Sequence, residues 1–234
     1  MEEEIKYYYD IEQGTKEWLE KRRGILTASV FSSLITPTGK IANNATVRKL
    51  VRKMVAERVT GRVEDGPNVY FFERGHEFEP IARDYYPSVY GEVRECGIVI
   101  RDFGDVKIGM SPDGLIGDDG IMEIKVRNAE LHLQTIVEGT IPKEYVPQMQ
   151  VQMFVSGRKW NDYVEYSNGM PLYVKRLKPD PEYHALLLEA ARSFEQKVVE
   201  MTALYEAKSK GLVETEWLDM SFDDTFITET EEGE

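Results

Sequence analysis

The chain has 234 residues, of which 41% are hydrophobic and 30% are charged. This balance is typical of one large globular domain and argues against a mainly disordered chain. The formal net charge of −13, taken alone, argues against a protein that binds nucleic acid, because phosphate contacts require Lys and Arg.

The excess negative charge lies at the two ends of the chain. Residues 1–4 and 214–234 contain twelve of the 42 acidic residues and no Lys or Arg. Residues 5–213 contain the other 30 acidic residues against 29 basic ones, so their net charge is −1. We therefore predict a single domain over residues 1–213 and an acidic extension over residues 214–234, and a nucleic-acid partner stays open.

The residue inventory also bears on the location of the protein. Cys96 is the single cysteine, which excludes an internal disulfide or a cysteine-based metal cluster and favours a reducing, cytoplasmic location. No apolar run approaches the roughly 18 residues of a membrane span, so we expect no membrane partner. The acidic N-terminus is unlike a signal peptide.

Helices are predicted to dominate the first half of the chain. Thr15 and Ser29 are candidate N-caps because their hydroxyls can accept the free N–H groups of a first helical turn. Gly24 and Gly61 are candidate helix ends. The predicted helices cover residues 16–23, 29–34, 47–60 and 70–86, the last with Pro80 inside it.

The third predicted helix carries two like-charge pairs at i,i+4 spacing, Arg48 with Arg52 and Lys49 with Lys53. Like charges at this spacing destabilise a helix. The pattern indicates either a solvated face relieved by Glu57 or a surface for an anionic partner.

Strands become frequent in the second half of the chain. Short apolar or alternating runs predict strands over residues 93–101, 106–110, 121–126, 160–166 and 172–177. Helices are predicted over residues 144–154 and, from the N-cap Asp180, over residues 181–211. This order predicts an α/β domain whose central mixed sheet is flanked by helices.

Two carboxylates and an ammonium are predicted to converge at the third of these strands. Glu123 and Lys125 alternate with Ile124, so their side chains point to the same face. A hairpin turn at residues 117–120 brings Asp113, at the end of the preceding strand, back beside them. Packed carboxylates repel each other, and a hard divalent cation such as Mg²⁺ relieves the repulsion. The pattern therefore predicts metal-assisted phosphodiester hydrolysis, with the Ile124 carbonyl as a further ligand and Lys125 acting on the attacking water.

The same residues also have a simpler structural interpretation. Pro112-Asp113-Gly114 is a common turn sequence, and residues 123–125 are compatible with an exposed strand edge. The spacing from Asp113 to Glu123-Ile124-Lys125 leaves the two interpretations open.

Several short motifs match one known family in the correct order. They are the segments 18–24 and 26–29, 74–79, 111–115, 123–125 and 145–150. On these segments the sequence resembles the phage lambda exonuclease family, the YqaJ-like viral recombinases of the PD-(D/E)xK nuclease superfamily. The resemblance covers about residues 12–165 and implies the restriction-endonuclease-like core of that superfamily.

The resemblance assigns roles to the residues of the predicted metal site. The metal ligands of the family correspond here to Glu79, Asp113, Glu123 and the carbonyl of Ile124. Lys125 corresponds to the lysine that acts on the water, and Gln148 to a glutamine that helps to place the scissile strand. The implied cofactor is Mg²⁺, with two ions per site and with Mn²⁺ as a substitute.

A second set of residues corresponds to the family's pocket for a terminal 5′-phosphate. The resemblance implies that Arg22, Ser29 and Ser111 form it, and a guanidinium with two hydroxyls suits a phosphate dianion. Lambda exonuclease carries an arginine eight residues after the glutamate, where this chain has Leu131. Arg127 is the candidate substitute, and with Val126 it also replaces the Cys-Pro pair that often follows the lysine.

The function implied by the resemblance is a Mg²⁺-dependent exonuclease that digests linear double-stranded DNA from the 5′ end and leaves 3′ overhangs for recombination. A ring-shaped homotrimer and a single-strand annealing recombinase are the implied partners. Two alternatives stay open. An endonuclease or DNA-repair nuclease of the same superfamily would not need the end-binding pocket, and a non-catalytic DNA- or protein-binding module would not need the carboxylates and the lysine.

Overall fold

The computed structural model of the protein describes residues 4–36, 38–63, 78–86 and 91–217. The acidic extension lies outside these residues from position 218 onward, as does the start of the predicted helix 70–86. Of the motif at residues 74–79, Phe78 and Glu79 lie within the described part. The proposed domain boundary at residue 213 stays a prediction.

Six α-helices are formed by the described residues, and polar caps start several of them. The Thr15 hydroxyl accepts the backbone N–H of Trp18, and the Asp180 carboxylate accepts those of Glu182 and Tyr183. The helices are α1 (Lys16–Arg22), α2 (Ala45–Thr60), α3 (residues 78–85), α4 (Ala129–Glu138), α5 (Val146–Ser156) and α6 (Pro181–Ser209). Within the described ranges, no helix is long and apolar enough to cross a membrane.

The strands are divided between two sheets. They are β1 (Glu4–Tyr8), β2 (Leu26–Thr27), β3 (Val93–Arg94), β4 (Ile98–Asp102), β5 (Lys107–Met110), β6 (Gly114–Ile116), β7 (Gly120–Val126), β8 (Trp160–Tyr166) and β9 (Tyr173–Leu177). The four-stranded sheet has the order β1-β4-β5-β2, and the five-stranded sheet has the order β3-β6-β7-β8-β9. Parallel and antiparallel pairs occur in both sheets, which confirms the mixed α/β class.

Three local predictions differ from the structure. Residues 93–101, predicted as one strand, form β3 and part of β4, which lie in different sheets on either side of Gly97. The turn at residues 117–120 joins β7 to the short strand β6 and not to β5, so Asp113 precedes β6. Ser29 does not cap a helix, because it lies inside a 3₁₀ helix that spans Ala28–Ser33.

The packing of β7 separates its apolar face from its functional face. Met122 and Ile124 pack in a small hydrophobic cluster with Ala82 and Tyr86 of the α3 segment. Because side chains alternate along a strand, Glu123 points to the opposite face, where its carboxylate contacts α5. Helix α5 in turn packs with α6 into the larger core cluster.

The chain passes from one sheet to the other at Gly97, and this passage leads to a prediction about stability. An added Cβ would lie 2.0 Å from the carbonyl oxygen of Ile11, which is backbone and cannot rotate away. We expect Gly97→Ala to lower the free energy of unfolding by about 1–3 kcal/mol or more, measured by urea denaturation. Gly109→Ala is the matched control, because its Cβ would meet Ile98 at an ordinary 3.5 Å. Equal stability of the two variants would contradict the close approach of Gly97 to the backbone of Ile11.

Candidate active site

The Glu123 carboxylate is the centre of the site. Glu123 is 1% exposed, and its Oε1 accepts hydrogen bonds from Lys125 Nζ and, at 2.5 Å, from Gln148 Nε2. Its Oε2 accepts from Gln152 Nε2. Strand β7 thus supplies the lysine and helix α5 supplies both amides, one helical turn apart.

Asp113 reaches the same strand from its open edge. Strand β6 pairs with β7 as far as Met122. Beyond that residue, the Asp113 carboxylate contacts the same edge of β7. Its Oδ2 accepts the backbone N–H of Ile124 at 2.6 Å. The N–H and C=O of one strand residue point to the same edge, so the Ile124 carbonyl also faces the side of Asp113.

Neighbouring charges act strongly on Asp113 and Lys125. Burial raises the pKa of Asp113 well above its usual range, and the charges of Glu123 and Glu79 raise it further. Burial lowers the pKa of Lys125, but attraction to Glu123 and Asp113 outweighs this effect and raises the pKa above its ordinary value. The ammonium form of Lys125 is therefore stabilised by the same carboxylates that destabilise each other.

The donor set fits a magnesium ion. In the part of the chain that the structure describes, no group of three or more His, Cys, Asp or Glu side chains is arranged to hold a metal. The candidate ligands are two repelling carboxylates, Asp113 and Glu123, and the Ile124 carbonyl. Mg²⁺ is commonly held in this way, by one or two carboxylates with substrate phosphate and water completing the shell.

Glu79 lies beside this pair of carboxylates. A cavity of about 410 Å³ is lined by Glu79, Asp113 and Arg83, among other residues. Arg83 is one helical turn after Glu79 on α3 and donates to the backbone carbonyl of Asp113 at 3.0 Å. Glu79 acts on the pKa of Asp113 less strongly than Glu123 does.

Arg22 and Ser111 form a second polar site next to the carboxylates. The Arg22 guanidinium donates to Ser111 Oγ and to Thr27 Oγ1, both at 3.5 Å. Trp18 fixes both groups, since its ring lies 3.9 Å from the guanidinium carbon and its Nε1–H donates to Ser111 Oγ at 2.9 Å. Ser29 joins the cluster through a 3.4 Å contact between its hydroxyl and that of Thr27.

The guanidinium of Arg22 is a desolvated cation. Burial lowers its pKa to about 10, and the more distant charge of Glu57 offsets only part of this effect. Among the described residues, its hydrogen bonds go to hydroxyls and none goes to a carboxylate. A half-buried cation without a paired anion loses part of its hydration, and a phosphate would compensate for that loss.

Arg127 has different neighbours from the other predicted phosphate ligands. Its guanidinium lies 3.6 Å from Glu165 and 3.7 Å from Glu144, and it donates to Thr135 at 3.3 Å. It makes no hydrogen bond to Arg22, Ser29 or Ser111 in the described ranges. Its role at a phosphate therefore stays a prediction.

Several residues of the two sites were not predicted from the sequence motifs. Gln152 and the residue behind it, Asn161, are buried polar side chains that contact each other between a helix and a strand, and Glu123 lies 29 positions from Gln152, so no local pattern marks them. Trp18 and Thr27 lie inside the matched motifs and take part through the contacts given above.

The model of the YqaJ-like viral recombinase domain matches residues 17–159. This span contains the predicted metal-site residues and all four predicted phosphate ligands. No curated protein shows a significant match to the chain.

Solved structures of exonucleases resemble the chain. An alkaline exonuclease from Laribacter hongkongensis, LHK-Exo, has 31% identity and a TM-score of 0.74, over 85% of this chain and 100% of that one. Its complex with dAMP has 30% identity and the same TM-score and coverage. A phage-related exonuclease from Haemophilus somnus 129PT has 14% identity and a TM-score of 0.54, over 77% of this chain and 96% of that one, and it shares the fold.

The family match covers more than half of the chain, and the similarity to LHK-Exo extends over the whole length of that protein. The fold is that of the PD-(D/E)xK nucleases, as the motifs imply. The chain therefore belongs to the YqaJ-like viral recombinase family.

Proposed function

We propose that the protein is a Mg²⁺-dependent exonuclease that digests linear double-stranded DNA from the 5′ end. The observation that carries the proposal is the short distance between the two polar sites along the chain. Ser111 and Asp113 are two residues apart, so their Cα atoms are separated by at most about 7 Å. A terminal phosphate held at Ser111 and Arg22 would therefore present the adjacent phosphodiester at Asp113.

The residues of the carboxylate site divide the chemistry between them. Asp113, Glu123 and the Ile124 carbonyl would hold Mg²⁺, with Glu79 near a second ion. When bound, Mg²⁺ supplies Lewis-acid stabilisation of the charge that develops on the phosphate. Lys125, whose pKa is raised, acts in this arrangement as a positively charged hydrogen-bond donor that orients the attacking water. Gln148 is half-buried and places the scissile strand.

The surface of α2 supports contact with a duplex. The side chains of Arg48, Lys49 and Arg52 are exposed and make no hydrogen bond or ion pair with the described residues, while Lys53 contacts Glu57 at 3.9 Å. Glu57 accepts the backbone N–H of Gly24 at 3.2 Å, two residues after Arg22. The basic face thus starts beside the phosphate pocket, where the DNA backbone would continue.

The proposal also covers the reaction product, the oligomeric state and the partners of the protein. LHK-Exo is an exonuclease, and we propose the same class of activity here, with 3′ overhangs as the product. A homotrimer that encloses the DNA and a single-strand annealing recombinase that receives the overhang fit this product, and a cytoplasmic location fits the single reduced cysteine.

The substrate is tested with matched DNA forms. With Mg²⁺, the protein should degrade linear 5′-phosphorylated duplex and spare the same DNA as a closed circle, measured by release of acid-soluble nucleotide. Lys125→Ala should reduce the rate by about 100-fold or more and should retain duplex binding. Cleavage of closed circles would favour an endonuclease, and a fully active Lys125→Ala variant would contradict the assigned chemistry.

The phosphate pocket is tested at Arg22. We expect Arg22→Gln to raise the KM for 5′-phosphorylated duplex by about 10- to 100-fold, because a charged hydrogen-bond partner of the phosphate is lost. The KM for 5′-hydroxyl duplex should change little. Arg23→Gln is the control, since Arg23 is exposed and donates to the carbonyl of Gly61 instead. An equal loss on both substrates would argue against a phosphate contact.

Charge repulsion at Asp113 predicts a gain in stability when the carboxylate is removed. Without divalent cations, Asp113→Asn should raise the melting temperature, by about 2–4 °C per kcal/mol of repulsion relieved, because the amide keeps an acceptor for the Ile124 N–H. Adding Mg²⁺ should stabilise the wild type but not the variant. Asp118→Asn, at an exposed turn, should change neither value. A lower melting temperature of Asp113→Asn without cations would contradict this account.

A further inference from the structure

Two buried amides stand behind Glu123 on the side of α5 and β8. Gln152 and Asn161 are each 0% exposed. Gln152 donates from Nε2 to Glu123 Oε2, and its own Oε1 accepts from Asn161 Nδ2 at 2.6 Å. The three side chains form a chain of hydrogen bonds that runs from β8 through α5 to β7.

The direction of this chain of hydrogen bonds is fixed by chemistry. If the Gln152 amide were rotated by half a turn, its oxygen would face the Glu123 carboxylate and its NH₂ would face the NH₂ of Asn161. Both contacts would be repulsive, so the Asn161 donor holds the Gln152 donor toward Glu123. Among the described residues, Gln152 has a buried partner that holds its amide in orientation, and no such partner is found for the amide of Gln148.

The orientation of Asn161 has a cost. Its Oδ1 is buried and has no hydrogen-bond partner among the described residues, which destabilises the folded chain. An apolar residue of similar size at this position would avoid that cost, but it would leave the buried Oε1 of Gln152 without its donor. A buried polar atom that is left unsatisfied calls for an explanation other than stability.

The other two donors to Glu123 are less permanent. Lys125 has 24% of its side chain exposed, and Gln148 is half-buried, so both can exchange their bond to Oε1 for water or substrate. Gln152 has no access to solvent and cannot exchange. Oε2 is thus the fixed end of the carboxylate, and Oε1 is the end that is available for exchange.

We propose that the pair Gln152 and Asn161 positions the Glu123 carboxylate for the divalent cation. This inference rests on the proposed function, because it requires a cation at Glu123. The two amides are positioning residues, since they touch neither substrate nor reacting atoms. Residues that orient metal ligands in this way commonly account for a 10- to 100-fold difference in metal affinity.

The test measures Mg²⁺ binding to the DNA-free protein by calorimetry, with the Mg²⁺ dependence of cleavage as a second readout. Gln152→Met keeps the length of the side chain and removes the donor, and it should weaken Mg²⁺ binding by about 10- to 100-fold. Asn161→Asp should act similarly, because the new carboxylate draws the Gln152 NH₂ to itself and turns the Gln152 oxygen toward Glu123. At saturating Mg²⁺, much of the cleavage rate of Gln152→Met should return.

Gln150→Met is the matched control on the same helix. Gln150 is 3% exposed, donates to the carbonyl of Lys178 at 2.9 Å, and contacts Asp180 and His184 through its Oε1. It makes no hydrogen bond to Glu123. Gln150→Met should therefore lower the melting temperature and leave the Mg²⁺ affinity unchanged.

The outcomes separate this inference from the function on which it rests. If Gln152→Met is destabilised like Gln150→Met but binds Mg²⁺ as tightly as the wild type, the amides are structural and the inference is wrong. If the wild type itself binds no Mg²⁺, the proposed metal-dependent function fails, and the positioning role fails with it.

Discussion

The buried negative charge of Glu123 is the constraint on which the rest of the site depends. A carboxylate that is 1% exposed must be neutralised by hydrogen bonds or by a cation, because burial of an isolated charge is very costly. Three donors meet this need, and two of them come from α5. This explains why a helix in the middle of the core carries glutamines on a face that packs against strands. The same carboxylate repels Asp113, and a bound cation would relieve this repulsion.

The second constraint is the passage of the chain from one sheet to the other. Strand β5 ends at Met110 in the four-stranded sheet, and β6 begins at Gly114 in the five-stranded sheet. The residues between them include Ser111, which contacts Arg22, and Asp113, which contacts β7. A connection of three residues therefore sets the distance between the proposed phosphate site and the carboxylate site. For an enzyme that removes nucleotides from a chain end, this distance decides which phosphodiester is attacked.

Local signals predicted much of this arrangement. Strand alternation places Glu123 and Lys125 on one face, and Asp180 and Pro181 mark the start of α6, so both features could be read directly. The division into two sheets could not be predicted, because a single glycine in an apolar run is weak evidence for a break. Gly97 is needed for a close approach to Ile11.

Helix α4 was not predicted, because its buried residues, His132 and Thr135, are polar while Leu133 and Val137 are exposed. The amides behind Glu123 were not predicted, because their pairing depends on tertiary contact.

The central claim is that one active site both holds a 5′-terminal phosphate and cleaves the adjacent phosphodiester. The most direct measurement uses a linear duplex with distinguishable labels at the 5′ and 3′ ends of the same strand, and it follows the identity and order of products in a single turnover. We expect that a labelled mononucleotide from the 5′ end is released first and that the 3′ label stays in long DNA. Release of the 3′ label first, or of oligonucleotides from the interior, would contradict it.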